Sequence, residues 1–177
     1  MSNKSMEKNE IVEAVRKATS EVFSTMLGSE VEPLDVHYDD ACLAMSDGVT
    51  AIVGIAGPWV GNGMLSCNSS FACRLCEMFL MTEAPAVNDE VLDAVGELAN
   101  MVVGNFKTEA ETIVGPLGLS VPTVIYGQNF TSRSLGTNNW LVMPFKCGDQ
   151  RLEVRVWFAP ASEAAAHRHP SAQLQTV

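Results

Sequence analysis

Apolar residues recur at three- and four-residue steps in three stretches of the chain, a spacing that places them on one face of a helix. Gly28 is placed to end the first of these helices, and Ser69 is placed to cap the second. Asn88 or Asp89 caps the third, whose acidic first turn suits the positive end of a helix. The predicted helices cover residues 11–27, 70–81 and about 89–112.

Alternating apolar residues and β-branched runs predict strands between these helices. Turn residues at 46–48, 57–63 and 148–149 separate the strands and indicate two hairpins, and residues 127–139 form a polar loop. Pro122 implies an edge strand or the start of a strand. The predicted strands cover residues 34–38, 42–45, 49–56, 64–67, 121–126, 140–146 and 152–158.

The length and composition are those of one globular domain. The chain has 177 residues, of which 47% are hydrophobic and 18% charged, so it can bury a sizeable core without a disulfide or metal. We expect residues 1–9 to be a flexible start and residues 10–160 to be the domain. Residues 161–177, rich in Ala, His, Gln and Ser, are expected to be a disordered tail.

The charge balance narrows the class of partner. The net charge is −10 at pH 7, and the 11 Lys and Arg residues are scattered rather than clustered. A nucleic-acid binder needs a basic patch, and an acidic surface disfavours anionic membranes. A small acidic protein can still bind a partner protein that has a basic face.

The compartment predicted from the sequence is the cytoplasm. No stretch of about 18 uncharged apolar residues spans a membrane, and residues 1–10 do not resemble a signal peptide. The five cysteines are an odd number without a disulfide-framework spacing, which favours a reducing environment. Cys73 and Cys76, with Cys67 nearby, lack the fourth ligand of a zinc site and are interpreted as core cysteines.

Two helical segments resemble each other. Residues 21–28 and 97–104 both read as Glu, two residues, a small polar residue, three residues and Gly. Strands follow each helix, so a duplicated unit of a helix and strands would explain the likeness. Eight positions are few, and chance agreement stays open.

The second of these segments carries a polar stripe. Asp93, Glu97 and Asn100 lie at a spacing that puts them on one face of a helix. A solvated helix face is the plain alternative, since such a short pattern arises by chance. Gly96 and Gly104 each cost about 1 kcal/mol in a helix interior relative to Ala, which indicates close approach of another backbone or of a partner.

Asp93-x-x-x-Glu97-x-x-Asn100, followed after a gap by Pro122, is similar to the signature of the CheC, CheX and FliY chemotaxis phosphatases. Residues 22–28 and 96–104 resemble the first helix and the catalytic helix of CheX-type proteins. The resemblance implies an α/β fold of α+β type, a mainly antiparallel sheet packed against two long helices in pseudo-two-fold halves. Ser24 stands where a second site would have Asn, so it implies a single site, as in CheX.

The resemblance also implies a chemistry, which is hydrolysis of the phosphoaspartate of a CheY-like response regulator. Asn100 would orient the attacking water, and Glu97 would engage a lysine of the partner. Asp93 would assist at the rim, and Pro122 would shape the loop beside the helix. No cofactor of the chain's own is implied, because Mg²⁺ comes with the partner's acidic pocket.

Two further expectations follow from the resemblance. The family forms homodimers, and an exposed edge near the hairpin of residues 140–158 could pair across a two-fold axis. The alternative function is a non-catalytic binding module, like the middle domain of FliM-type flagellar switch proteins. The retained Glu97 and Asn100 pair favours the enzyme.

Overall fold

The computed structural model describes residues 5–39, 42–133 and 139–166. The helices there are α1 (Lys8–Met26), α2 (Ser69–Leu80), α3 (Asp89–Val114) and α4 (Ala161–Ala166). The strands there are β1 (Glu32–Pro33), β2 (His37–Asp39), β3 (Cys42–Ala56), β4 (Trp59–Cys67), β5 (Gly118–Leu119), β6 (Thr123–Arg133), β7 (Trp140–Cys147) and β8 (Gln150–Pro160).

All eight strands join one antiparallel sheet in the order β1-β7-β8-β4-β3-β5, with β2 also paired to β7 and β6 also paired to β3. The two long helices, α1 and α3, pack against each other, and α3 lies on β3 and β4. Apolar side chains of the helices and of the covered sheet face form one core. The predicted fold class, a mainly antiparallel sheet packed against two long helices, is confirmed.

The chain is built as two equivalent halves. The elements α1, β1 to β4 and α2 are followed by α3, β5 to β8 and α4, which repeat the same order. Exchanging the halves reverses the strand order β1-β7-β8-β4-β3-β5 and reproduces it, and it also exchanges the pairs β2–β7 and β6–β3. The pseudo-two-fold axis therefore passes between β4 and β8, and α1 is the counterpart of α3.

The predicted turn at residues 46–48 is wrong, because β3 runs unbroken through it. Asp47 and Gly48 lie opposite Gln128 and Gly127 of β6, so a distant strand holds these turn-prone residues extended. For the same reason residues 127–133 of the predicted polar loop belong to β6, whereas residues 134–138 of that loop lie outside the described residues. The cap of α2 also differs, since Asn68 and not Ser69 accepts the hydrogen bond from the Phe71 amide, at 2.7 Å.

The ends of the domain extend beyond the predicted limits. The helix α1 begins at Lys8, inside the expected flexible start. The alanine-rich residues 161–166, assigned from the sequence to the tail, form α4, and Ala164 there is only 5% exposed. Residues 1–4 and the remaining tail, 167–177 with its two histidines, lie outside the described residues.

The second hairpin is not at an edge of the sheet, contrary to the expectation. Its strand β8 lies between β7 and β4, and β7 is covered by β1 and β2. The chain returning from α1 forms these two short strands, which no local pattern in residues 140–158 could indicate. Within the described residues, the long strand with a free outer edge is β6, which pairs only with β3.

Candidate functional site

The three residues of the polar stripe lie on one face of α3. Asp93 and Glu97 are exposed, and Asn100 is half-buried. At 1.5 Å per residue, the stripe runs for roughly 10 Å along the helix axis. Within the part of the chain that the structure describes, none of the three side chains makes a hydrogen bond or ion pair. Their polar atoms therefore face outward and are available to a partner.

The sequence starts α3 with two local signals. The Asn88 side chain accepts a hydrogen bond from the Val91 amide at 3.0 Å, and Asp89 and Glu90 occupy the positive first turn. The opposite face of the helix is fully apolar. Its buried residues are Val91, Ala94, Val95, Leu98, Ala99, Val102, Val103, Phe106 and Ala110.

A glycine in the sheet lets α3 lie close to β4. A Cβ built on Gly63 would be 2.4 Å from Cγ2 of Val103, which is too close for two non-bonded carbon atoms. Gly63 is buried, and Val103 is three residues beyond Asn100 on the same helix. The height of the candidate site above the sheet is thus set by a strand residue without a side chain.

After α3 the chain turns back and runs along the helix. At the helix end, the Glu111 carboxylate accepts a hydrogen bond from the Leu117 amide at 2.7 Å. Further back, Gly104 faces Leu119, and Gly96 faces Pro122 and Val124. Residues 117–124, which we call the return segment, therefore lie beside α3 from its last turn up to the polar stripe.

The Glu111 carboxylate fixes the start of the return segment. Besides the Leu117 amide, it binds Nζ of Lys107 at 2.9 Å, one helical turn away. The backbone hydrogen bond and the lysine together lower the pKa of Glu111 from its ordinary value. The carboxylate is therefore held ionised at neutral pH.

The part of α1 that corresponds to the polar stripe of α3 has different residues and different contacts. Lys17 binds the carboxylate of Glu109 on α3 at 2.9 Å, and this hydrogen bond, with the charges of Glu109 and Glu21, raises the pKa of Lys17. Glu21, the counterpart of Glu97, thus already has a lysine of its own chain nearby. The Ser24 hydroxyl, at the place of Asn100, donates to the Glu21 carbonyl oxygen at 3.2 Å.

The cysteines singled out in the sequence pack in and around the core. Cys67 and Cys76 are buried, and Cys73 is partly exposed. Burial raises the pKa of the Cys67 thiol to about 12, and it also raises the pKa of Cys73 and Cys76. These thiols are therefore protonated at neutral pH and are weak nucleophiles. Among the described residues no group of His, Cys, Asp and Glu is arranged to hold a metal ion.

Two features of α3 were not predicted from the sequence, one beside the stripe and one nearer the end of the helix. Val121, next to Pro122, is 83% exposed although it is apolar. Lys17 meets Glu109 across 92 positions in the chain. A valine preceding a proline carries no special signal by itself, and the partner of a surface lysine is set by helix packing. Pro122 itself lies beside the helix, 3.7 Å from a Cβ built on Gly96.

The family of the chain follows from comparison with known proteins. Residues 49–146 match the model of the family described as chemotaxis phosphatase CheX. This match covers more than half of the chain and includes α3 with its polar stripe. The chain therefore belongs to the CheX chemotaxis phosphatase family. The sequence matches no curated protein.

Solved structures share the fold at low identity. A CheC-like superfamily protein from Shewanella sp. PV-4 is 23% identical, with a TM-score of 0.77, over 87% of this chain and 99% of that one. CheX in the CheX-CheY-BeF3-Mg²⁺ complex from Borrelia burgdorferi is 24% identical, with a TM-score of 0.73, over 84% and 97%. The FliM middle domain from H. pylori is more distant, at 14% identity and a TM-score of 0.61, over 91% and 97%.

None of the helices in the described residues is both long enough and apolar enough to span a membrane.

Proposed function

We propose that this protein accelerates hydrolysis of the phosphoaspartate of a CheY-like response regulator in the cytoplasm. The observation that supports this proposal is the polar stripe of α3 in a chain of the CheX family. Phosphoryl transfer from an aspartyl phosphate needs an in-line water and charge stabilisation rather than covalent chemistry. One positioned carboxamide added to the partner's own site is sufficient for that task.

Asn100 is the residue proposed to orient the water. A carboxamide both donates and accepts hydrogen bonds and stays neutral, so it can hold a water between itself and the phosphorus atom. No side chain of the described residues competes for its amide. Ser24 on α1 has neither the second polar atom nor a free hydroxyl, because that hydroxyl donates to its own helix. The proposal is therefore one site per chain, on α3.

Glu97 is proposed to anchor the partner through a lysine, with Asp93 at the rim. Glu97 is exposed and has no cation of its own chain beside it among the described residues, unlike Glu21. The Borrelia burgdorferi complex holds CheY with BeF3 and Mg²⁺. By analogy, the Mg²⁺ of the reaction would be the response regulator's, and this chain would bring no cofactor.

The test is phosphate release from a phosphorylated receiver domain with Asn100→Ala. We expect kcat to fall roughly 30- to 1000-fold, the 2–4 kcal/mol of one lost preorganised hydrogen bond, with little change in KM. Thermal stability should not fall, since no intramolecular bond is lost and Ala favours the helix. Asn105→Ala is the matched control, because Asn105 is exposed on α3 away from the stripe.

Full activity of Asn100→Ala would refute the proposed mechanism. The second candidate function, a non-catalytic binding module, is favoured by the FliM-like fold alone. It predicts that the wild-type chain binds receiver domains but does not change their rate of dephosphorylation. The assay against the receiver domains of the host separates these two functions and identifies the substrate.

We further propose that the protein is a homodimer that pairs through β6. This strand has 11 residues and a free outer edge within the described chain. A long unpaired edge is a template for strand pairing, and a two-fold axis would pair β6 with its own copy in antiparallel orientation.

A further inference from the structure

Gly96 lies between the two candidate functional turns of α3. It follows Asp93 by three residues and precedes Asn100 by four, so its surface adjoins both. Glycine destabilises a helix interior relative to alanine, so its presence at this position needs an explanation. A Cβ at Gly96 would lie 3.0 Å from Cγ2 of Val124 and 3.7 Å from Cβ of Pro122.

The second glycine of the helix differs in this respect. A Cβ at Gly104 would lie 4.0 Å from Cδ1 of Leu119, which is an ordinary contact distance. Both glycines face the return segment, but only at Gly96 is the segment closer than the usual contact distance of a Cβ atom. The tight approach therefore coincides with the polar stripe and not with the helix as a whole.

The part of the return segment that packs against Gly96 exposes an apolar side chain to solvent. Val121 adjoins Pro122 and is 83% exposed, whereas Pro122 is half-buried against the helix. A partner that covers Asp93 and Asn100 would meet this valine as well. The acidic and apolar parts then form one continuous surface, whose geometry depends on the gap between α3 and the return segment.

We propose that Gly96 is a positioning residue for the proposed reaction, which sets the separation between the polar stripe and Val121 so that one receiver domain seats on both. This inference rests on the proposed function and assigns a role to residues outside the Glu97 and Asn100 pair. A methyl group at position 96 forces Val124 or the helix to shift by a few tenths of an ångström. Val124 is β-branched and turns away poorly, so the separation itself changes.

The experiment is a cycle of Gly96→Ala, Val124→Ala and the double variant, with Gly104→Ala as the control. A misplacement of about 1 Å can cost about 100-fold in rate, so Gly96→Ala should lower kcat/KM roughly three- to tenfold. Val124→Ala removes the clashing methyl group, and the double variant should recover most of the loss. Gly104→Ala gains the same helix propensity and should keep wild-type kinetics.

Two readouts separate positioning from a loss of fold. The Tm of Gly96→Ala should be no lower than that of Val124→Ala. The affinity of Gly96→Ala for a receiver domain carrying BeF3 and Mg²⁺ should nevertheless fall, together with its turnover. Val121→Ser should raise KM and weaken that affinity about fivefold without lowering kcat, the effect of losing part of one buried aliphatic side chain.

Each outcome decides something different. If the wild-type chain is active and Gly96→Ala matches it in kcat, KM and affinity, the positioning role is wrong and the proposed function stands. If Gly96→Ala is impaired but Val124→Ala does not restore it, the contact is not the cause and the inference also fails. If the wild-type chain neither binds nor dephosphorylates any receiver domain, the proposed function falls and this inference falls with it.

Discussion

Gly63→Ala tests how α3 is seated on the sheet. The new Cβ would lie 2.4 Å from Cγ2 and 3.3 Å from Cγ1 of Val103, whereas carbon atoms in contact normally lie about 3.5–4.0 Å apart. About 1 Å must therefore be gained by moving α3 or rotating Val103. Val103 is 3% exposed and, as a valine in a helix, strongly prefers one rotamer, so it cannot turn aside cheaply.

Overpacking of this kind costs about 1–3 kcal/mol of unfolding free energy. For a domain of this size, that corresponds to a fall in Tm of roughly 3–10 °C. Urea unfolding followed by circular dichroism and tryptophan fluorescence measures the free energy, and an unchanged m-value shows that only stability has changed. Because Asn100 is on the same helix, the proposed phosphatase activity should fall as well.

The double variant Gly63→Ala/Val103→Ala supplies the control. Val103→Ala alone should cost about 1–3 kcal/mol, yet in the double variant the new methyl group fills the vacated space. The two effects should therefore fall short of additivity by about 1 kcal/mol or more. Wild-type stability of Gly63→Ala, or strict additivity in the double variant, would show that this contact does not set the height of α3.

Three further predictions concern recognition, pH and assembly. Glu97→Gln should raise KM, lower kcat somewhat and make binding less salt-sensitive than in the wild type, because the proposed charge pair with the partner's lysine is lost. A wild-type KM and salt dependence would contradict the proposed anchoring role of Glu97. The lowered pKa of Glu111 means that its bonds stabilise the fold above its ordinary value of 4.5 and lose that contribution as the pH falls towards the folded pKa. Acid titration of Glu111→Gln should therefore show a smaller loss of stability below about pH 4.5 than that of the wild type. Superimposable stability curves for the two proteins would contradict this role of Glu111. Light scattering at tens of micromolar, on the order of a typical dimer affinity, should give twice the mass of one chain, and a monomer there would exclude the dimer.

Local pattern was sufficient for α1, α2, α3 and the second hairpin. The helices α1, α2 and α3 lie within three residues of their predicted limits because amphipathic spacing, caps and helix-ending glycines are local signals. The hairpin of β7 and β8 was predicted for the same reason, since Gly148 takes the positive φ that its turn needs. The likeness of residues 21–28 and 97–104 indicated the repeat that the strand order displays.

Local pattern failed where a distant strand supplies the hydrogen bonds. Residues 46–48 and 127–133 are turn-prone or polar, and each would be a loop by itself. They are extended because β3 and β6 pair along ten positions, which satisfies their backbone groups. Propensities of about 1 kcal/mol per residue are easily outweighed by such pairing.

The sequence by itself determined that Asp93, Glu97 and Asn100 share a helix face, since helical spacing requires nothing else. The tertiary structure decided how the helix that carries this face is packed against the rest of the chain. It placed Pro122 and Val124 against Gly96, set Val103 above Gly63, and put Lys17 beside Glu109. The residues that make these contacts are between 26 and 92 positions apart in the sequence. Contacts at such separations depend on the relative position of packed elements, and no local pattern along the chain specifies that position.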